Sequence, residues 1–205
     1  MDPDSGWDQL EAERTDTELR IGGNKVMKRW ETPLMRRMAE RLCTAADNGR
    51  IVEVGFGMGI SASCIQEQGV ASHTIVEPHP ECLNTLKAWR STYSERRIEI
   101  VDDYWQNVLH LFDECDAVFF DTYATSRQSL IEENSKFLLA ASRRLRPGAS
   151  VALFWILPTL DDTQQRYLFQ NYSRVEIEPV AVAPGETGVI PLKELGFLLS
   201  ILATK

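Results

Sequence analysis

The sequence predicts an α/β protein built on a mostly parallel sheet with helices on both faces. Two observations carry this. From Arg50 onward, short apolar runs alternate with segments of helical periodicity, and the runs are apolar at successive positions, as in Ala117-Val118-Phe119-Phe120. A strand apolar on both sides must be covered on both sides, as parallel strands joined by crossover helices are. The second observation is the tail. Two strand-like segments, 173–183 and 196–204, flank the turn signal Pro184-Gly185-Glu186-Thr187-Gly188, so an antiparallel hairpin should close one sheet edge.

The elements follow in order. Residues 1–20 are polar and acidic around one large aromatic, Trp7, and read as an N-terminal arm or lid, leaving 21–205 as a single domain. Thr32 suits a helix N-cap and Pro33 a first helical position; Leu34, Met35, Met38, Ala39 and Leu42 share one face, and Asn48-Gly49 ends the helix. Strands are expected at 50–54, 73–77, 97–101 and 116–121. Helices follow each at 60–68, 81–93, 105–112 (short) and 128–145 (long). Arg146-Pro147-Gly148 then turns the chain into a strand at 149–157.

Composition narrows the function classes. With 205 residues, 43% of them apolar and 25% charged, the chain suits one globular domain with a real core. No run approaches the ~18 apolar residues that a membrane-spanning helix needs, and the acidic N-terminus does not resemble a signal peptide. Cys43, Cys64, Cys82 and Cys115 are scattered, and His73, His79 and His110 show no ligand spacing, so reduced thiols, no metal and a cytoplasmic protein are expected. A net charge of −8 disfavours nucleic acid as a partner and tolerates a small cationic substrate. No membrane partner is expected, and a homodimer stays open.

The first strand runs into Glu53-Val54-Gly55-Phe56-Gly57-Met58-Gly59-Ile60-Ser61. Glycines at a strand's carboxyl end let the backbone turn tightly and approach a ligand. A dinucleotide fingerprint needs a small residue at the sixth position, where this chain has Ile60. The spacing is instead G-x-G-x-G, used by proteins that bind S-adenosylmethionine, which has no phosphate. Glu77 ends the second strand 22 residues after Gly55, where an acid can accept hydrogen bonds from both ribose hydroxyls. Asp103, after the third strand, stands where such proteins contact adenine.

The fourth strand ends Phe119-Phe120-Asp121-Thr122-Tyr123. Enzymes that methylate the amino groups of nucleic-acid bases carry a proline pair here; this chain has none. A carboxylate at that point suits a positively charged or strongly donating nitrogen, although Asp121 could equally cap the next helix. Glu31 by itself reads as a first-turn helix acid favoured by the dipole.

Taken together and in order, Thr15–Ile21, Val26–Met35, Glu53–Ile60 and Phe120–Tyr123 resemble guanidinoacetate N-methyltransferase and its relatives, among them arginine δ-N-methyltransferases. The resemblance implies a class I S-adenosylmethionine-dependent methyltransferase: a Rossmann-like, seven-stranded, mostly parallel sheet with an antiparallel C-terminal hairpin. It implies that Trp7 lies in a segment closing over the site, that Met27 and Glu31 contact a guanidino substrate, and that Met35 contacts the methyl donor. It places Glu53, Gly55 to Ser61, Glu77, Pro78, His79, Asp103, Tyr104 and Trp105 around the donor, with S-adenosylhomocysteine as product. Asp121 falls between donor and substrate, and Tyr123 and Ile156 beside the substrate.

On that reading Glu31 and Asp121 clamp the guanidinium through charge-assisted bonds, and Asp121 takes the proton. The family pattern breaks at 155–159. The family holds the substrate's carboxylate there with polar groups, whereas Leu157 and Pro158 offer no hydroxyl and Pro158 no N–H. The guanidine end should therefore be kept and the tail changed, towards free arginine, an arginine-derived intermediate or a guanidine natural product, with guanidinoacetate as the alternative. The rival functions are methylation of a protein arginine, a non-catalytic binding protein of the same fold, and a nicotinamide-dependent oxidoreductase.

Overall fold

The structure is a computed structural model that describes residues 6–157, 159–182 and 196–205. The turn expected at 184–188 and Pro158 lie outside these.

The chain opens with a meander of β1 (Ala12–Arg14), β2 (Glu18–Ile21) and β3 (Asn24–Lys28). Leu19 and Ile21 alternate with Glu18 and Arg20, the period-two pattern of a one-sided strand, and both apolar residues are buried. Gly22 and Gly23, at φ 56° and 77°, make the two-residue turn that joins β2 to β3. The boundary expected after residue 20 thus falls inside β2, and the expected loose arm is a small sheet reaching Lys28.

A 3₁₀ turn, Arg29–Glu31, leads into α1 (Thr32–Ala45). Thr32 is the first helical residue, not the cap; Glu31 holds the cap position without making a side-chain cap bond to α1. Then follow β4 (Arg50–Val54), α2 (Ile60–Glu67), β5 (Ser72–Val76), α3 (Pro80–Ser91) and β6 (Ile98–Val101). The short helix expected at 105–112 is two 3₁₀ turns, Trp105–Asn107 and Leu109–Phe112. After them come β7 (Ala117–Phe120), α4 (Arg127–Arg144), β8 (Ser150–Leu153), α5 (Asp162–Asn171), β9 (Arg174–Ala181) and β10 (Phe197–Thr204). Sequence reasoning gave no helix at 162–171. Its N-cap signal, Asp161 accepting from the Thr163 N–H at 2.8 Å, precedes a mostly polar helix that buries only Gln164 and Leu168.

The main sheet has the order β6-β5-β4-β7-β8-β10-β9, parallel from β6 to β8, with β10 antiparallel to both neighbours. Alternate residues of β7 serve different cores. Val118 and Phe120 pack with α4 and α5, where Phe120 stacks on Phe137 at 3.7 Å. Ala117 and Phe119 pack with α1 and α2. All four cysteines are buried and reduced, and burial pushes the Cys43 and Cys115 thiols up to about 12 and Cys64 to about 11. Among the described residues no helix is long and apolar enough to cross a membrane, and no three His, Cys, Asp or Glu side chains gather as a metal set.

Strand order reverses between β4 and β7, so their carboxyl ends flank the crevice where α/β sheets bind ligands.

Candidate active site

The chain leaves β4 at Gly55. Its N–H bonds the Val76 carbonyl at 2.9 Å, and at φ 90° a Cβ there would stand 2.0 Å from the Asp121 carbonyl oxygen. Only glycine lets the two strand ends approach this closely. Gly57 (φ 51°) lies under Met27, whose sulfur a Cβ would meet at 3.0 Å. Gly59 then caps α2.

Glu77 follows β5. Its two carboxylate oxygens accept from the Phe56 and His79 N–H groups, both at 2.9 Å, and burial raises its pKa. Glu77 lines the crevice, and a carboxylate there can accept hydrogen bonds from a ribose diol. These residues form one side of a narrow cavity of about 60 Å³. Trp7, Met27, Pro78, Tyr104, Trp105, Asp121 and Tyr123 also line it. Trp7 roofs it, stacked on Tyr123 at 5.4 Å and edge-on to His79 at 6.0 Å. The meander is tied down by Arg14 Nη2 donating to the Gly57 carbonyl (2.6 Å), by the Tyr104 hydroxyl donating to Asp8 (2.8 Å) and by His79 Nε2 against the Leu10 carbonyl (3.0 Å).

A second cavity, of about 420 Å³, adjoins the first, and Val26, Asp121, Thr122 and Tyr123 line both. Glu31 and Ile156 line the second alone. The 3₁₀ turn before α1 buries Glu31 to 6% exposure, and its Oε1 accepts the Lys28 N–H at 3.1 Å. Burial and then the Asp121 charge push Glu31 up to about 8. Asp121 N–H still bonds the Val54 carbonyl at 3.0 Å, extending the β4–β7 pairing by one residue. Asp121 Oδ2 is buried and without a partner among the described residues. Burial and the charges of Glu53 and Glu77 push Asp121 up to about 7. Asp121 does not cap α4; Ser126 does, accepting from the Ser129 N–H.

Several residues expected around the donor line neither cavity. Met35 lies in the α1 core, and Phe56 sits edge-on to Trp89 beneath the glycine turn. Met58, Gly59, Ile60 and Ser61 begin α2 behind the turn. Asp103 caps its own 3₁₀ turn, accepting from Tyr104 N–H and Asn107 Nδ2, both at 2.7 Å. Glu53 stands inside the sheet, its Oε2 2.9 Å from His73 Nε2. His79 supports the Trp7 roof. Sequence reasoning passed over Val26, Thr122 and the cations Lys25, Lys28 and Arg127, which line the second cavity; single cations in a polar setting carry no local signal that they face a cavity.

A narrow crevice at the switch point, with a glycine turn beneath it and a ribose-type acid beside it, is the site pattern of the class I S-adenosylmethionine-dependent methyltransferases. Chain similarity narrows the class. A profile described as guanidinoacetate N-methyltransferase matches residues 2–177, and the chain belongs to that family. It is 36% identical over 107 residues to "Protein arginine N-methyltransferase 2" of Aspergillus fumigatus, a match covering 50% of this chain and 25% of that protein. The chain thus spans about a quarter of that relative's length. Among solved structures, spermidine synthase from Thermotoga maritima superposes with a TM-score of 0.69 at 14% identity, covering 95% of this chain and 72% of that one. Precorrin-6y C5,15-methyltransferase from Geobacter metallireducens does so with 0.56 at 17%, covering 81% and 88%. At such identities these two matches speak to the fold alone.

Proposed function

We propose that the chain methylates a guanidino nitrogen of a small molecule. The observation that carries the reading is the pair of acids, Glu31 and Asp121, facing one cavity with both pKa values raised. Two carboxylates on one cavity, both raised by burial and Glu31 further raised by the Asp121 charge, call for a cation between them. A guanidinium fits, since it is planar, stays charged at neutral pH and offers paired N–H donors that carboxylates bind in parallel.

Glu77, Gly55, Gly57, Tyr104 and Trp105 would hold the methyl donor, which supplies an electrophilic methyl group. Asp121, on the wall shared by both cavities, then lies nearest the nitrogen to be methylated. Glu31 keeps positive charge on the other nitrogens. As the N–C bond forms and the S–CH3 bond breaks, leaving S-adenosylhomocysteine as the neutral thioether, that nitrogen's proton would pass to the Asp121 carboxylate, whose pKa near 7 suits a base at neutral pH. Ile156 and Leu157 give the cavity an apolar side where a substrate's methylene chain can lie.

Mass spectrometry of reactions containing S-adenosylmethionine and guanidinoacetate, arginine, agmatine or an arginine peptide tests the proposal. A methylated product that disappears in Asp121→Asn supports it; donor binding without any methylated guanidine rejects it. Similarity to a protein arginine N-methyltransferase favours a second reading, methylation of an arginine side chain in a protein, and turnover of the peptide alone would select it.

A further inference from the structure

The substrate cavity is electrically two-ended. Its floor holds only acceptors: buried Glu31 and the unpartnered Asp121 Oδ2. Its mouth holds cations. Lys25 and Arg127 line the cavity and are exposed, while Lys28 is half-buried. Lys25 and Lys28 lie near Glu18, and Lys28 also near Glu31, close enough for their charges to act on those acids, but among the described residues none of the three cations forms an ion pair within 4 Å. Trp30 lines the same cavity, and its indole N–H is buried with no acceptor among the described residues. A buried donor left unsatisfied is uncommon and calls for a partner.

A cavity for a bare guanidine would need the acidic floor alone. A guanidino amine would bring a second positive charge to Lys25 and Arg127 and be repelled. The volume adds a length requirement: about 420 Å³ equals roughly 14 waters at about 30 Å³ each, more than a guanidine and a carboxylate joined by a single methylene would fill. The apolar side formed by Ile156, Leu157 and Leu130 runs between the two ends and suits a polymethylene spacer.

We infer that Lys25, Arg127 and the Trp30 N–H form an anion subsite at the cavity mouth, and that the substrate is a guanidino acid with a spacer longer than that of guanidinoacetate. The inference rests on the guanidine reading of Glu31 and Asp121. It moves recognition of the substrate's anionic end from the chain after β8, where Leu157 offers no polar group, to β3 and the start of α4. Salt should weaken it, since these cations are solvent-facing.

The test keeps the guanidine constant and varies the tail: guanidinoacetate, 4-guanidinobutyrate, agmatine and uncharged butylguanidine, each measured for KM and kcat and, by calorimetry with S-adenosylhomocysteine, for binding. Wild type should prefer 4-guanidinobutyrate over agmatine by at least about tenfold in KM, and over guanidinoacetate by a smaller factor. Lys25→Gln/Arg127→Gln should shrink the acid-over-amine preference by about tenfold, the combined effect of a few partly screened charges. Lys25→Glu/Arg127→Glu should invert it. Both pairs are exposed, so the variants should fold, and circular dichroism confirms it. If guanidines bind and turn over with no tail preference, or the variants leave the preference intact, the anion subsite is wrong while the guanidine floor stands. If no guanidine binds or reacts, both fall together. An arginine peptide with an acidic neighbour preferred over every free acid would transfer the subsite to a protein substrate and overturn the small-molecule assignment.

Discussion

The floor of the site and its N-terminal wall are built differently. Gly55, Glu77 and Asp121 each come directly after a strand, and each backbone N–H is still bonded to the neighbouring strand, at 2.9, 3.0 and 3.0 Å. The floor therefore moves only if the sheet comes apart. The wall, from Trp7 to Arg14, reaches the floor through side chains: a ring stack, an arginine on a carbonyl, a tyrosine on an aspartate and a histidine on a carbonyl. Each is worth on the order of 1 kcal/mol. Gly55, Glu77 and Asp121 are thus held by the sheet, and Trp7 is held by side-chain contacts alone.

This contrast can be broken first at the floor. Asp121→Asn should lower kcat by about 10²–10⁴-fold, as expected for loss of a general base, while donor affinity changes only severalfold. Single-turnover rates and equilibrium binding separate the two; an unaltered rate would remove Asp121 from the chemistry.

Gly55→Ala should be nearly as costly, through folding instead of catalysis. The added methyl collides with the Asp121 carbonyl at a left-handed φ, and we expect about 3 kcal/mol of destabilisation, roughly 6–12 °C in Tm by scanning calorimetry. A normal Tm would mean that the β4 and β7 ends are free to separate.

A third effect belongs to Glu31 and Asp121 together, the two acids of the larger cavity. Their folded pKa values lie above those of free carboxylates, so the folded state binds more protons than the unfolded chain between about pH 4 and 8. The resulting stability is complete below the unfolded values and is lost as pH rises through the folded ones. Ligand-free protein should thus melt lower at pH 8.5 than at pH 5.5, with the slope reduced in Glu31→Gln. A guanidinium ligand, by favouring both ionised forms, should reverse part of the loss. An unchanged slope in Glu31→Gln would mean that Glu31 titrates as a solvated acid.

The smallest effect should come from the wall. Trp7→Ala removes the stack on Tyr123 and should weaken donor binding by about tenfold or less. Hydrogen exchange at β4 and β7 should not change; if those strands exchange faster, wall and floor are one cooperative unit.

The sequence showed the floor more clearly than the wall, for a physical reason. Strand β7 is apolar on both sides and β5 ends on Ile75-Val76, so Asp121 and Glu77 directly after them stand out, as Gly55 does at the head of a glycine-rich turn. The meander buries single residues between charged neighbours, so Leu19 reads as part of a polar arm and the expected boundary falls just before Ile21. Glu31 was locally indistinguishable from an ordinary first-turn acid, and only its surrounding motif singled it out. Met35, Phe56 and Asp103 show the opposite limit: a motif placed them near the donor, and packing turned Met35 and Phe56 into the core and Asp103 onto its own turn. For α5, seven polar side chains among ten residues hid the helix, whose one buried leucine could not set a period.

The four buried thiols have a practical consequence. Cys43 lies on α1, Cys64 on α2, Cys82 on α3 against the narrow cavity and Cys115 just before β7, so each samples a different element. Burial holds all of them in the unreactive thiol form. Alkylation at any of them then requires that its own element open. Peptide mapping after timed exposure to iodoacetamide would give an opening rate for each. Cys82 should be protected by S-adenosylhomocysteine, and Cys115, at the foot of the sheet, should be indifferent to it. The molecule carries its own set of clocks for local breathing, and no probe has to be engineered in.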